Sequence, residues 1–151
     1  MTHLTDADLL RLGLQLETKG TPDGFKPSPR KRHNNEESRS QQALIAWWNV
    51  ACKNYGLPAW SLFAIPNGGR RDVLTGVFMK KEGVRSGIPD LMLCVPRNGK
   101  AGLFVEMKTE KGVLSPEQRA VHPILKDLGY AVEVCRSTRD AVNVIEAYLR
   151  R

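Results

Sequence analysis

The stretch that decides the fold runs from Gly87 to Gln118 and reads GIPDLMLCVPRNGKAGLFVEMKTEKGVLSPEQ. Two apolar runs of strand length, Leu91 to Val95 and Leu103 to Met107, lie on either side of a turn that contains Asn-Gly. Asn-Gly between two such runs is a strong hairpin signal, so we expect two antiparallel neighbouring strands. The rest of the sheet is expected to extend outward from this hairpin.

Three charged side chains accompany the hairpin. Asp90 precedes the first strand, and Glu106 and Lys108 end the second. Residues two apart in a strand share a face, so Glu106 and Lys108 point the same way, and Asp90 opposite them would bring two carboxylates and one ammonium together. Two carboxylates suit a hard cation such as Mg²⁺, which lowers the pKa of a bound water and also binds phosphate. Lys108 could then steer or deprotonate that water, or hold the phosphate.

A plain structural role fits the same residues. Glu106 and Lys108 could form an exposed pair on an edge strand, with Asp90 a turn residue after proline. Two features favour the metal site instead: the flanks of Glu106 are strongly apolar, and Ser115-Pro116-Glu117-Gln118 has the chemistry of a helix start. A strand that ends in Glu-x-Lys and leads into a helix is the order that this metal-site interpretation requires.

Taken together, these motifs resemble the virus-type replication-repair nuclease (VRR-NUC) domain of the PD-(D/E)xK superfamily. Pro89-Asp90 matches the PD element and Glu106-Met107-Lys108 matches the ExK element. The segment from Ile65 to Arg70 is typical of stand-alone, phage-type members, and the resemblance runs from about residue 36 to the C-terminus. It implies an α/β fold of the restriction-endonuclease-like type, with a mixed β-sheet flanked by helices.

The resemblance also implies roles for single residues. Family members place a glutamate on the first core helix, four residues before a glutamine, and Glu37 with Gln41 fits that spacing, although Glu36 is adjacent. It further implies that Gln118 neighbours the site, a role that the sequence cannot separate from helix capping. Glu37 is expected to act through a second metal or a water.

With spacing and resemblance combined, the expected ligands of Mg²⁺ or Mn²⁺ are Asp90, Glu106 and the main-chain carbonyl of Met107. Lys108 is expected near the attacking water. No small-molecule cofactor is expected. The three histidines, His3, His33 and His122, show no ligand spacing, and Cys52, Cys94 and Cys135 form no zinc or disulfide pattern.

A formal net charge of +7 suits a polyanionic partner, which we expect to be DNA. A glycine-containing loop with two arginines could bring backbone N–H groups to phosphates, and further basic residues lead from it toward Asp90. The candidate DNA-binding residues are Asn67, Gly68, Gly69, Arg70, Arg71, Lys80, Lys81 and Arg85. A solvated surface would explain the same charges.

The expected function is therefore a metal-dependent DNA endonuclease that acts on branched or otherwise structured DNA in replication, repair or recombination. The alternatives are a nucleic-acid-binding module that does not cut, and an RNA-directed phosphodiesterase with the same metal chemistry. Likeness of stand-alone members to junction resolvases implies a homodimer. The sequence has no secretory signal and no apolar run of spanning length, so we expect no membrane partner and a cytoplasmic location.

Two regions are expected: an N-terminal helix and basic flexible arm over residues 1–35, and the nuclease domain over residues 36–151. Within the second region, hydrophobic periodicity and capping signals predict a series of elements. They are helices over about 37–55, 72–82, 116–128 and 138–149, and strands over about 60–65 and 130–135, in addition to the hairpin.

Overall fold

The Asn-Gly turn of the hairpin forms as the sequence predicts. In a computed structural model of the chain, which describes residues 35–66 and 79–150, Asn98 and Gly99 have φ angles of 52° and 71°. Positive φ at both central positions is the geometry of a type I′ turn, whose twist matches that of the flanking strands. Arg97 and Lys100 exchange both backbone hydrogen bonds, at 2.8 and 3.0 Å. The turn therefore aligns the two strands as antiparallel neighbours.

A mixed four-stranded sheet lies at the centre of the fold. Its strands, which are neighbours in this order, are β1 (Leu62–Ala64), β2 (Leu91–Leu93), β3 (Leu103–Met107) and β4 (Ala131–Cys135). Strand β2 runs antiparallel to both of its neighbours, β1 and β3, whereas β4 runs parallel to β3. Parallel neighbours need a long crossover, and a helix between β3 and β4 supplies it. The α/β fold with a mixed sheet is confirmed.

In the described residues, three complete α-helices flank the sheet: α1 (Asn35–Ala51), α2 (Pro116–Asp127) and α3 (Thr138–Arg150). Helices α1 and α3 contribute buried residues to the main core, which also takes Val105 and Met107 from β3. Phe104, which precedes Val105 and points to the other face, packs with Leu125 of α2 in a second, smaller cluster. Because side chains alternate along a strand, α2 covers the opposite face of the sheet, which is also the face of Glu106.

The structure corrects three of the predicted boundaries. The first hairpin strand, predicted over Leu91 to Val95, ends at Leu93. Helix α1 ends at Ala51 and passes into a 3₁₀ turn, Cys52–Tyr55, which Gly56 closes with a φ of 65°. The strand predicted over residues 60–65 is shorter: a 3₁₀ turn at Ala59–Ser61 precedes β1. Pro58 explains that turn, because its carbonyl accepts hydrogen bonds from both the backbone N and the hydroxyl of Ser61.

Two of the predicted regions fall outside the described residues. The N-terminal helix and basic arm lie there, as does most of the helix predicted over residues 72–82, of which residues 79–82 are described and 79–81 are helical. None of the described helices is long and apolar enough to cross a membrane.

Candidate active site

Glu106 is the centre of the candidate site. It is a fully buried charged residue on β3, on the face of the sheet that α2 covers. Its Oε1 lies 2.7 Å from the ammonium of Lys108 and accepts a hydrogen bond of 2.5 Å from the amide of Gln118. The strand therefore presents Glu106 and Lys108 to the same side, as their spacing predicts. A buried carboxylate in an otherwise apolar strand needs such partners, because desolvation disfavours its charge.

Hydrogen bonds to the backbone of neighbouring segments hold Asp90 close to Glu106. Its Oδ2 accepts a hydrogen bond of 2.9 Å from the backbone N of Met107, in the adjoining strand. Its own carbonyl accepts one of 2.7 Å from the backbone N of Ile65, just beyond β1. The side chain is thus fixed between the start of β2 and the end of β3, and this pairing places it beside Glu106.

Gly87 determines how the segment before Asp90 approaches α2. Its φ is +85°, and a Cβ atom built there would lie 2.7 Å from the carbonyl oxygen of Glu117 and 2.9 Å from Val121. Both the left-handed backbone and the close contact exclude a side chain. Glycine at this position therefore lets the strand that carries Asp90 lie directly against the helix that carries Gln118.

Glu37 reaches the site from the first helix. Its Oε1 accepts a hydrogen bond of 3.1 Å from the backbone N of Thr109, the residue after Lys108. Glu36 is exposed, whereas Glu37 is partly buried. Of the two glutamates between which the sequence cannot choose, Glu37 is therefore the one that the fold directs to the end of β3.

Gln118 performs both of the roles between which the sequence could not decide. Its Oε1 accepts from the backbone N of Ser115 while its own backbone N donates to the Ser115 hydroxyl, at 2.9 and 3.2 Å, which is a complete capping box. Its Nε2 donates to Glu106. An amide has both donor and acceptor atoms, so a single side chain can cap the helix and also hold a carboxylate.

Burial and close packing change the ionisation of these groups. Burial raises the pKa of Glu106 to about 7, with the charge of Asp90 acting the same way and Lys108 opposing it. Burial also raises the pKa of Asp90, against the backbone hydrogen bond from Met107 and the charge of Lys108. Desolvation alone lowers the pKa of Lys108, but its hydrogen bond with Glu106 and the surrounding carboxylates outweigh this and raise it. Lys108 is therefore a cation at neutral pH.

His122 is a further residue at the site, and the sequence analysis did not identify it as one. It is buried on α2, and its Nε2 lies 3.8 Å from Oε2 of Glu106. Burial lowers its pKa, as do the charges of Lys126 and Lys108, while Asp90 opposes the shift. The signal that could have found it is its position four residues after Gln118, on the same face of the helix.

The donor atoms at this site suit a divalent cation. Asp90 and Glu106 supply hard carboxylate oxygens, and within the described ranges Oε2 of Glu106 is buried with no hydrogen-bond partner. Residues 35–66 and 79–150 contain no group of three or more His, Cys, Asp or Glu side chains arranged to hold a metal. A site of two carboxylates and one main-chain carbonyl is smaller than such a group, and it fits Mg²⁺, which keeps several of its waters.

Three of the candidate DNA-binding residues are described, and all are exposed: Lys80, Lys81 and Arg85. The guanidinium of Arg85 donates to the carbonyl of Lys80 at 3.1 Å. This hydrogen bond spans the turn that follows helical residues 79–81 and leads toward Asp90. The remaining candidates, Asn67, Gly68, Gly69, Arg70 and Arg71, lie outside the described residues.

Comparison with known proteins agrees with the fold described above. A solved structure described as a VRR_NUC domain protein is similar to the chain with a TM-score of 0.66 and 24% sequence identity, covering 76% of this chain and 88% of its own. At that identity the likeness concerns the fold. A search of curated proteins found no match.

Comparison with known protein families matches a continuous stretch that includes most of the candidate site. The model of the VRR-NUC domain matches residues 35–139, which include Glu37, Asp90, Glu106, Lys108 and Gln118. The match covers more than half of the chain and extends from α1 to the first turn of α3. On this basis the chain belongs to the VRR-NUC domain family, a family of nucleases.

Proposed function

We propose that this protein is a divalent-metal-dependent endonuclease that hydrolyses phosphodiester bonds in DNA. The observation that carries the proposal is the convergence of Asp90, Glu106 and Lys108 at the end of β3, with Glu106 fully buried. Apolar side chains would pack there at no desolvation cost, so charged groups at this position favour a chemical role. Membership of a nuclease family supports the reaction class.

Asp90, Glu106 and the main-chain carbonyl of Met107 are the proposed ligands of Mg²⁺ or Mn²⁺. VRR-NUC nucleases are generally metal-dependent. When bound, such an ion offsets the negative charge of the phosphate and lowers the pKa of a water molecule. Glu37 is proposed to act through a second ion or a water, because its charge reaches both Asp90 and Lys108.

Lys108 is proposed to orient the attacking water or a phosphate oxygen by donating a hydrogen bond. The raised pKa of its ammonium supports this donor role over that of a general base, because a base must first lose the proton. Glu106 holds the ammonium at 2.7 Å, and a phosphate oxygen arriving at the site would compete for the same donor.

The substrate is proposed to be branched or otherwise structured DNA in replication, repair or recombination. Exposed Lys80, Lys81 and Arg85 lie on the segment that leads to Asp90, and their charges suit phosphate contacts. A homodimer, which would present two such sites to one branched substrate, is proposed from the likeness of stand-alone members to junction resolvases. Sedimentation of the protein at concentrations where it cuts tests the dimer, and a monomer there contradicts it.

The test of the function compares the wild type with Lys108→Ala on branched, flapped and linear DNA, with Mg²⁺, Mn²⁺ or EDTA. We expect cleavage by the wild type in either metal, none in EDTA, and a loss of about 100-fold or more in the variant, since a preorganised cation is removed. Lys111→Ala is the matched control: an exposed lysine in the loop that follows, whose loss should leave the rate unchanged.

Each alternative function predicts a different outcome of this cleavage experiment. Wild-type cleavage that EDTA leaves undiminished contradicts the metal mechanism, and full activity of Lys108→Ala contradicts the role of the lysine. Binding of DNA without turnover in any divalent metal identifies a module that does not cut. Matched RNA duplexes, run beside the DNA substrates, identify an RNA-directed phosphodiesterase if they are cleaved preferentially.

A further inference from the structure

Helix α2 presents two polar side chains to the two oxygens of Glu106. Gln118 and His122 are one helical turn apart and therefore lie on the same face of the helix. The amide of Gln118 holds Oε1 at 2.5 Å, and Nε2 of His122 lies 3.8 Å from Oε2. The same helix thus reaches both oxygens of the carboxylate, one through a formed hydrogen bond and the other through a close approach.

In the second pair, both atoms lack a hydrogen bond. Of the buried side-chain atoms in the described part of the chain, Oε2 of Glu106 and Nε2 of His122 are those that have no hydrogen-bond partner, and each exposes less than 1 Å². Leaving a buried donor or acceptor unpaired is unfavourable. Both atoms are almost completely shielded from solvent, which favours a direct contact between them over a bridging water.

Each atom is therefore the available partner of the other. Closing the gap of 3.8 Å to a normal N–H···O distance of about 3 Å takes side-chain motion of less than an ångström. Imidazole can place its proton on Nε2, and a carboxylate oxygen can accept that proton while keeping a second lone pair.

We infer that His122 is a positioning residue, which donates a hydrogen bond from Nε2 to Oε2 of Glu106 and, with Gln118, fixes the orientation of that carboxylate. The contact itself follows from the geometry alone. Its consequence rests on the proposed function: a ligand held from both sides binds a divalent cation more tightly, because groups that orient metal ligands typically contribute about 10–100-fold to affinity.

The contact is tested first on the metal-free wild-type protein, without DNA, at about pH 8.5, where Glu106 is ionised and Oε2 can accept. Long-range ¹H–¹⁵N NMR of the imidazole distinguishes the two neutral tautomers. His122→Gln assigns the signal by its loss, and His33→Gln is the matched control. We expect His122 in the Nε2–H tautomer, unchanged in the control. A proton on Nδ1 in the wild type would overturn the inference, because Nε2 would then have nothing to donate.

The consequence is tested by Mn²⁺ binding, followed by the EPR signal of free Mn²⁺. We expect His122→Leu to bind Mn²⁺ about tenfold more weakly, and His122→Gln, which keeps an N–H donor, to recover most of that loss. Equal affinity of His122→Leu and the wild type overturns the positioning role. Absence of Mn²⁺ binding by the wild type contradicts the proposed function instead, and the tautomer then still decides whether the contact exists.

Discussion

Glu106 determines the ionisation of the candidate site, because it is fully buried and lies within reach of a second carboxyl and an ammonium. Burial raises its pKa from 4.5 to about 7, and Asp90 adds to the shift. In the folded, metal-free protein it therefore holds a proton over a range of pH in which the unfolded chain has lost it. Ionisation of Glu106 therefore favours the unfolded state, and the free energy of unfolding depends on pH.

We predict that the free energy of unfolding of the metal-free protein falls as the pH rises from about 4.5 to about 7. In this window the native state binds more protons than the unfolded state, so ionisation favours unfolding; below it the contribution is fully present, and above about 7 it is lost. The shift corresponds to about 3 kcal/mol at 1.36 kcal/mol per pKa unit. The measurement is urea unfolding in EDTA across this pH range.

Glu106→Gln is the informative variant for this prediction, because it keeps the shape of the side chain and removes the proton. Its slope of stability with pH should be clearly smaller than that of the wild type. Glu133→Gln, at an exposed glutamate of β4, is the control and should keep the full slope. A wild-type slope that Glu106→Gln leaves unchanged contradicts the assignment of the proton to Glu106.

A divalent cation should reverse this dependence. Mg²⁺ or Mn²⁺ binds ionised carboxylates, so we predict that a saturating metal raises the melting temperature more at about pH 8 than at about pH 5.5. Thermal unfolding with and without EDTA measures the difference, and Glu106→Gln should lose most of the gain. An equal gain in that variant would place the stabilising ion elsewhere.

At the scale of elements, the residues at the start of α2 both cap that helix and hold the side chain of Glu106. Ser115 caps the helix through the backbone N of Gln118, and the Gln118 side chain then extends to Glu106. The geometry of the cap and the geometry of the site are therefore coupled through one residue. Removing the cap should affect both.

We predict that Ser115→Ala lowers stability by about 1 kcal/mol and also weakens metal binding and cleavage, because Gln118 loses its anchor. Ser137→Ala is the matched control. The hydroxyl of Ser137 caps α3 by accepting from the backbone N of Asp140 at 3.0 Å. Its loss should cost similar stability with cleavage retained. Chemical denaturation and cleavage rates compare the two variants, and equal effects on cleavage would contradict the coupling.

The loop that leaves Lys108 is held by one arginine. Nη1 of Arg136, just beyond β4, donates to three carbonyls of this loop, those of Thr109, Glu110 and Gly112, at 3.0, 2.8 and 2.8 Å. The same loop contains the backbone N that Glu37 engages. A single exposed guanidinium thus orders the backbone between Lys108 and α2.

We predict that Arg136→Ala speeds hydrogen exchange over residues 109–114 and reduces cleavage, with little loss of global stability because the side chain is exposed. Arg139→Ala, at an exposed position in the first turn of α3, is the control and should leave exchange in the loop unchanged. Unaltered exchange in Arg136→Ala would mean that the three hydrogen bonds do not hold the loop.

At the scale of the whole molecule, a net charge of +7 favours association with a polyanion. Binding that releases counterions weakens as salt rises, with a slope that reports the number of phosphates contacted. Charge alone does not locate the contact. The structure adds that Lys80 and Lys81 are exposed on the segment leading to Asp90.

We predict that Lys80→Ala with Lys81→Ala lowers DNA affinity and reduces the slope of log K against log salt by about 2, since each phosphate contact contributes about 0.9. The control removes the same charge elsewhere, with Lys53→Ala and Arg150→Ala, both exposed. Fluorescence anisotropy in EDTA at several salt concentrations measures both pairs. Equal slopes in the two double variants contradict a local DNA contact.

Local signals in the sequence predicted the hairpin, the start of α2 and its stop before Gly129, because turn and cap chemistry act over a few residues. They also predicted that Glu106 and Lys108 share a face. They did not predict the 3₁₀ turn before β1 or the place of His122. The first depends on how Ser61 satisfies its hydrogen bonds with Pro58, and the second on which face of α2 meets the sheet.

The sequence alone accounts for the order of the described elements, the antiparallel pairing of the hairpin strands and the residue types at the site, since these follow from periodicity, turn chemistry and spacing. The register is not among them, because the pairing at the turn and the pairing of the strands differ by one residue. Only the tertiary structure decided which of Glu36 and Glu37 reaches the site, that Gln118 both caps the helix and holds Glu106, and that His122 approaches Oε2 of Glu106. Those contacts join residues that belong to different elements. Their geometry depends on the packing of α1 and α2 against the sheet, which no local pattern specifies.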